Sequence, residues 1–105
     1  MTDEDRVILD EFAVLVRRRY PRADIRAFGS RARGTADEDS DFDTCVILPR
    51  VDHEATDYIR QVAWETGFEH GCVITTIILT QADFRGGPLS ESALVAAIRR
   101  QGVAG

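Results

Sequence analysis

The sequence predicts an α/β domain built on a small sheet, and three observations predict it. Two long stretches repeat apolar residues at helical spacing, shorter stretches are β-branched or apolar and end at glycine or proline, and the two kinds of segment are interleaved. The expected order is α-β-β-α-β-α. This is an α/β (α+β) architecture with helices mainly on one face of the sheet.

The length of 105 residues corresponds to one domain, 1–105. An apolar fraction of 44% suits a globule with a modest core. Thirteen basic against eighteen acidic side chains give a net charge of −5. That balance argues against direct nucleic-acid binding, which needs a basic surface, but not against binding a nucleotide, where local charge decides. The apolar runs are too short to span a membrane and no signal peptide is recognisable, so the expected location is cytoplasmic. Cys45 and Cys72 both lie in apolar segments and read as small core residues rather than a disulfide.

The first helix opens at Thr2, a suitable N-cap, with Asp3, Glu4 and Asp5 where the helix dipole favours acids. Ile8, Phe12, Leu15 and Val16 trace its apolar stripe, Arg17, Arg18 and Arg19 suit its C-terminal end, and Pro21 stops it. Ala23 to Phe28 reads as a short strand ending at Gly29-Ser30. Residues 29 to 40 are small and charged and read as a loop, with room for a helical turn starting at Ser30. Asp41 to Leu48 is the second strand, closed by Pro49. A second long helix starts at Asp52 or His53, carries Ala55, Ile59, Val62, Ala63 and Thr66 on one face, and ends near Gly67 to Gly71, where Gly71 can serve as a left-handed cap. Cys72 to Leu79 is dominated by Val, Ile and Thr, which are stiff at χ1 and favoured in sheets. Thr80 caps a short turn over Gln81 to Phe84. Gly86-Gly87-Pro88 is a loop, and Ser90 caps a last helix carrying Leu94, Ala97 and Ile98, with Gly102 just beyond it.

Chemistry concentrates in Phe28-Gly29-Ser30-Arg31-Ala32-Arg33-Gly34 and Asp41-Phe42-Asp43. A glycine after a strand permits a sharp turn and close approach of a ligand. Ser30 offers a hydroxyl and an N–H, and the unpaired N–H groups of a helical turn favour an anion. With Arg31 and Arg33 these residues make a phosphate cradle. Asp41 and Asp43 lie two apart on a predicted strand, so their side chains share a face. Adjacent carboxylates repel without a cation, and Mg²⁺ (or Mn²⁺) is the natural one, held by one or two carboxylates plus substrate phosphates. A cradle beside such a pair is what metal-assisted nucleotidyl transfer requires.

These residues resemble the minimal nucleotidyltransferases of the DNA-polymerase-β-like superfamily, the class found in HEPN/MNT toxin–antitoxin pairs. The signature of that family, Gly-Ser, ten residues, then Asp-x-Asp, fits Gly29-Ser30 and Asp41-Phe42-Asp43 without a gap. The wider form, Gly-Ser-x-Ala-Arg-Gly followed by Ser-Asp-x-Asp, fits Gly29 to Gly34 and Ser40 to Asp43. The resemblance implies the polymerase-β-like palm fold with a small mixed sheet. It implies that Gly29 and Ser30 hold the β- and γ-phosphates of a triphosphate, ATP in particular. Asp41 and Asp43 bind Mg²⁺ and align the α-phosphate for attack by a protein or small-molecule hydroxyl, and Arg33 steadies phosphates or the loop. It also implies a HEPN-type partner, with the chain as its antitoxin; a homo-oligomer is the other assembly expected.

One departure bears on activity. Active members usually carry a third acid on the next strand, and Cys72-Val73-Ile74-Thr75-Thr76-Ile77 has none. Thr75 falls at the expected place, Thr76 being the less favoured register. A threonine hydroxyl is a poor metal ligand and no general base at neutral pH. Two functional readings follow: a nucleotidyltransferase, or a catalytically weak or inactive homologue kept as a protein-binding antitoxin module.

Blander readings stand beside these. Asp37, Glu38 and Asp39 read as a solvated acidic loop, His53 and His70 as helix-terminal residues, and Trp64 and Tyr58 as packing residues. Glu69 is a distant candidate for the missing acid, since it precedes the strand.

Overall fold

The computed structural model describes residues 1–37, 39–87 and 92–105. Its first helix, α1 (Asp3–Arg19), is capped as its sequence demands: the Thr2 hydroxyl accepts the Asp5 N–H and the Asp5 carboxylate accepts the Thr2 N–H. Strand β1 (Asp24–Phe28), the short helix α2 (Gly29–Arg33) and strand β2 (Phe42–Leu48) follow. Helix α3 (His53–His70) is capped by Asp52 at its start and by Gly71 at φ +71° at its end. Strand β3 (Ile74–Thr80) leads through a Thr80 capping box into α4 (Gln81–Arg85). Helix α5 (Ala93–Gln101) and a two-residue strand β4 (Val103–Ala104) complete the chain.

The sheet is mixed, in the order β3-β2-β1-β4. Strand β1 runs antiparallel to β2 and to β4, while β2 and β3 are parallel and joined by α3, the long crossover that a parallel pair needs. The period of two divides the core. Ile25, Ala27, Phe42, Val46 and Leu48 meet Ile8, Phe12 and Val16 of α1 and Ile59 and Val62 of α3. Cys45, Ile47 and Leu79 meet Phe84 of α4 and Val95 and Ile98 of α5. The long helices thus share one face, as expected, and the short ones cover the other. This is why β2 is buried almost throughout.

Several boundaries move. The strand expected from Asp41 begins at Phe42, and the one expected from Cys72 begins at Ile74. Ser90, expected to cap the last helix, lies outside the described residues, as do Pro88 and Glu38; the observed cap is Ser92, whose hydroxyl accepts the Val95 N–H. Strand β4 was not expected. It pairs with Arg26 and Ala27 of β1, and the Gly105 N–H donates to the Ile25 carbonyl at 2.9 Å.

Candidate active site

The site is built on one row across three strands. Phe28, the last residue of β1, pairs with Asp43 of β2, and Asp43 pairs with Thr75 of β3. Residues directly opposite one another project from the same face of a sheet. Phe28 packs with the α4 and α5 cluster, so the row opens on that side, at the end of the sheet where α2 starts.

The chain turns immediately after Phe28. Gly29 has φ +74°, in the left-handed region, and a Cβ there would lie 2.4 Å from Oδ2 of Asp43. Backbone conformation and space therefore both require glycine. The first N–H groups of α2 have no acceptor within the helix, and Phe28 supplies no side-chain cap. The Ser30 carbonyl accepts the Thr35 N–H at 3.0 Å. Its hydroxyl has no hydrogen-bond partner among the described residues. Gly29 and the Asp43 carboxylate thus share one corner, with Ser30 next in the chain.

Thr75 stands beside that carboxylate. Its Oγ1 donates to Oδ1 of Asp43 at 2.7 Å, and its own carbonyl accepts the Thr44 hydroxyl at 2.8 Å. Thr76 pairs instead with Thr44, so of the two threonines it is Thr75 that stands opposite Asp43. Asp41 lies just ahead of β2, exposed, bordering an open cavity of about 410 Å³ together with Ser40, Gly71 and Val73.

The two arginines separate. Arg31 is buried, with 8% of its surface exposed. Its Nη1 donates to Oδ1 of Asp5 at 2.7 Å, and its Nε and Nη2 donate to the Ser40 carbonyl at 3.1 and 2.7 Å. The guanidinium also lies 5.4 Å from the Phe42 ring centre. The sequence suggested a phosphate contact for Arg31; the structure commits its guanidinium to Asp5 and Ser40 instead. The physical reason is burial: a charge in that position needs a carboxylate and a carbonyl close by. Arg31 ties α1 and α2 to the residue before Asp41. Arg33 is exposed, and its Nη1 donates to Oε1 of Gln101 at 3.3 Å.

Neither anchor, Asp5 nor Gln101, was a sequence candidate, because the contacts join residues 26 and 68 positions apart. Glu69, weighed as a replacement acid, is exposed on α3 and clusters with Glu11 and His70 rather than with Asp43.

A family model described as nucleotidyltransferase domain matches residues 9–98. The chain belongs to the nucleotidyltransferase domain family. The matched span contains the Gly29-Ser30 turn, Asp41, Asp43 and Thr75. No curated protein matches. Among solved structures, a toxin–antitoxin with AMP-PNP is similar to this nucleotidyltransferase domain, with a TM-score of 0.62 and 21% identity over 98% of this chain and 72% of that one. At that identity the likeness speaks for the fold.

One surface feature departs from expectation. Trp64, expected to pack inside, is 64% exposed and stacks on Phe68, itself 76% exposed, with ring centres 5.4 Å apart. With Val73, also exposed, they border a cavity of about 470 Å³ beside β3, an edge strand. Tyr58 does pack: its hydroxyl donates to the Leu15 carbonyl at 2.7 Å and its ring meets Tyr20 edge-on.

Proposed function

We propose that this nucleotidyltransferase domain binds a nucleoside triphosphate, ATP, with Mg²⁺ at Asp41 and Asp43, and that it transfers the nucleotidyl group to a hydroxyl of a protein partner or small molecule. The observation that carries the reading is the corner where Gly29, at the start of α2, meets the Asp43 carboxylate. A phosphate can approach the backbone there only because no Cβ intervenes. The donor set fits the ion: two carboxylates supply hard oxygens, and Oδ2 of Asp43 faces the glycine that a phosphate would approach. When bound, Mg²⁺ supplies charge neutralisation between carboxylates and triphosphate.

The chain's own residues have distinct tasks. Gly29 and Ser30 orient the β- and γ-phosphates, and Arg33, exposed at the end of α2, adds positive charge. Arg31 holds Ser40, and with it the approach to Asp41. The acceptor oxygen attacks the α-phosphorus, the bond to the β-phosphate oxygen breaks, pyrophosphate leaves, and the acceptor's proton passes to solvent.

A second reading, that the chain transfers slowly and works chiefly by binding a partner, is favoured by Thr75. Its hydroxyl donates a hydrogen bond to Asp43 and brings no carboxylate to help hold a metal. The exposed Trp64, Phe68 and Val73 patch supports a protein partner, because monomers seldom leave contiguous apolar surface uncovered. The similarity to a toxin–antitoxin points to a toxin as that partner, of the HEPN type that the sequence resemblance implies.

The test is calorimetry of ATP with and without Mg²⁺, followed by a labelled-nucleotide transfer assay with and without a HEPN-type partner. Metal-dependent binding, lost in folded Asp41→Asn/Asp43→Asn, is expected. Undiminished binding in that double variant overturns the site. Rapid transfer by the isolated chain overturns the second reading.

A further inference from the structure

Away from the nucleotide corner, α1 and the end of α3 bring together three side chains that chain order keeps apart. Glu11 lies on α1, and Glu69 and His70 are the last residues of α3. One ligand atom from each lies within 4.8 Å of the other two, and Nε2 of His70 is in contact with a carboxylate oxygen of Glu11. Glu11 and His70 are half-buried and Glu69 is exposed, so the cluster has protein on one side and an open approach on the other. A cavity of about 250 Å³, bordered by Glu4, Gly71 and Cys72, adjoins His70.

The electrostatics of the place invite a cation. Glu69 sits at the C-terminal end of α3, where the helix dipole disfavours an anion, and a second carboxylate comes from the neighbouring helix. The donor set selects the ion. One imidazole and two carboxylates suit a borderline transition metal, whereas Mg²⁺ and Ca²⁺ prefer oxygen alone. In a tetrahedron with bonds of about 2.1 Å, ligand atoms stand roughly 3.4 Å apart. The three observed ligand atoms lie within 4.8 Å of one another, the same range as that spacing.

We propose that Glu11, Glu69 and His70 form a zinc-binding site that clasps α1 to the C-terminal end of α3, separate from the Asp41/Asp43 site. Three protein ligands leave one coordination position for water. Because the folded chain presents the three ligands together and the unfolded chain does not, zinc binding stabilises the fold.

The experiment is titration of the purified full chain with ZnCl₂, followed by calorimetry and thermal unfolding, with millimolar MgCl₂ present throughout. The expected result is one zinc ion bound at micromolar concentration and a raised Tm. Glu69→Gln removes an exposed ligand without disturbing the core and should weaken zinc binding by at least the roughly 10–100-fold that even an outer-shell change can cost. His70→Asn should do the same. Asp41→Asn/Asp43→Asn should leave zinc binding intact while losing the magnesium-dependent nucleotide site, so the two proposals fail separately. The inference is overturned by no zinc binding below 100 µM, an order-of-magnitude limit for a three-ligand site. It is equally overturned by unchanged affinity in Glu69→Gln and His70→Asn, or by loss of zinc binding in Cys72→Ser or in the double Asn variant.

Discussion

Thr75 Oγ1 lies 2.7 Å from Oδ1 of Asp43, and the two residues are register partners on parallel strands. A hydroxyl there donates to Asp43 but brings no charge of its own. In the two-metal scheme a third acid helps hold a second cation, which polarises the acceptor. Thr75→Asp should therefore change two properties in opposite directions. Without metal, a second carboxylate against Asp43 should lower Tm, because adjacent like charges repel. With Mg²⁺ or Mn²⁺ that loss should reverse, and transfer by the isolated chain should rise, within the roughly 10²–10⁴-fold that acid–base assistance is worth. Thermal unfolding with and without metal, beside a transfer assay, reads both. A variant whose Tm ignores metal would remove Thr75 from the site.

Gly29 and Ser30 are neighbours with separable roles. Gly29→Ala forces an L-residue to φ +74° and places its Cβ 2.4 Å from Asp43 Oδ2. Strained backbone of this kind costs about 1–3 kcal/mol, so both stability and triphosphate binding should fall. Ser30→Ala removes a hydroxyl with no partner among the described residues, so Tm should hold. Triphosphate affinity should still drop by about 1.5–3 kcal/mol, the value of one hydrogen bond to a charged group. Denaturant unfolding and calorimetry on the pair separate the two roles.

Arg31 and Arg33 look alike in sequence and should behave differently. Removing Arg31 leaves Asp5 buried without its partner, a change that typically costs about 3–5 kcal/mol. Arg31→Lys keeps the charge but cannot serve Asp5 and Ser40 with one planar fork, so it should also destabilise. Arg33→Ala should leave Tm unchanged and weaken triphosphate binding. A stable Arg31→Ala with lost nucleotide binding would restore Arg31 to the phosphate.

What the sequence revealed divides along physical lines. Period-two and period-3.6 patterns revealed each long helix and the three longer strands, and capping chemistry at Thr2 and Thr80 revealed where two helices begin. Counting from Gly71 chose Thr75 over Thr76, and Thr75 is the one that pairs with Asp43. The fate of Arg31 was not legible: nothing local to Gly29-Ser30-Arg31 announces an acid 26 residues earlier. Strand β4 was invisible because two residues, Val103 and Ala104, carry no period. Trp64 was misread because an aromatic on a helix ordinarily packs inside, whereas here it is exposed and stacks on Phe68.

Cys45 offers a test of how tightly the α4 and α5 face is closed. It is fully buried among Ile47, Leu79, Phe84, Val95 and Ile98, and burial pushes its thiol up to about 12, with the negative charge of Asp24 adding to the effect and Arg26 opposing it. Burial also raises the Cys72 thiol, but Cys72 is only partly covered. A thiol reagent at pH 8 should therefore modify Cys72 first and reach Cys45 only on unfolding. The consequence for stability has a definite sign. Above the ordinary thiol value of 9.0 the unfolded chain releases the Cys45 proton, while the folded chain keeps it until about 12. Stability from this group is thus complete below pH 9 and is lost as pH rises towards 12, with a slope of up to about 1.4 kcal/mol per pH unit. The measurement is a difference: Cys45→Val should flatten the alkaline decline while leaving the neutral-pH core packed. An alkaline profile identical in wild type and Cys45→Val would mean that water reaches Cys45, and that α5 does not seal this face of the sheet.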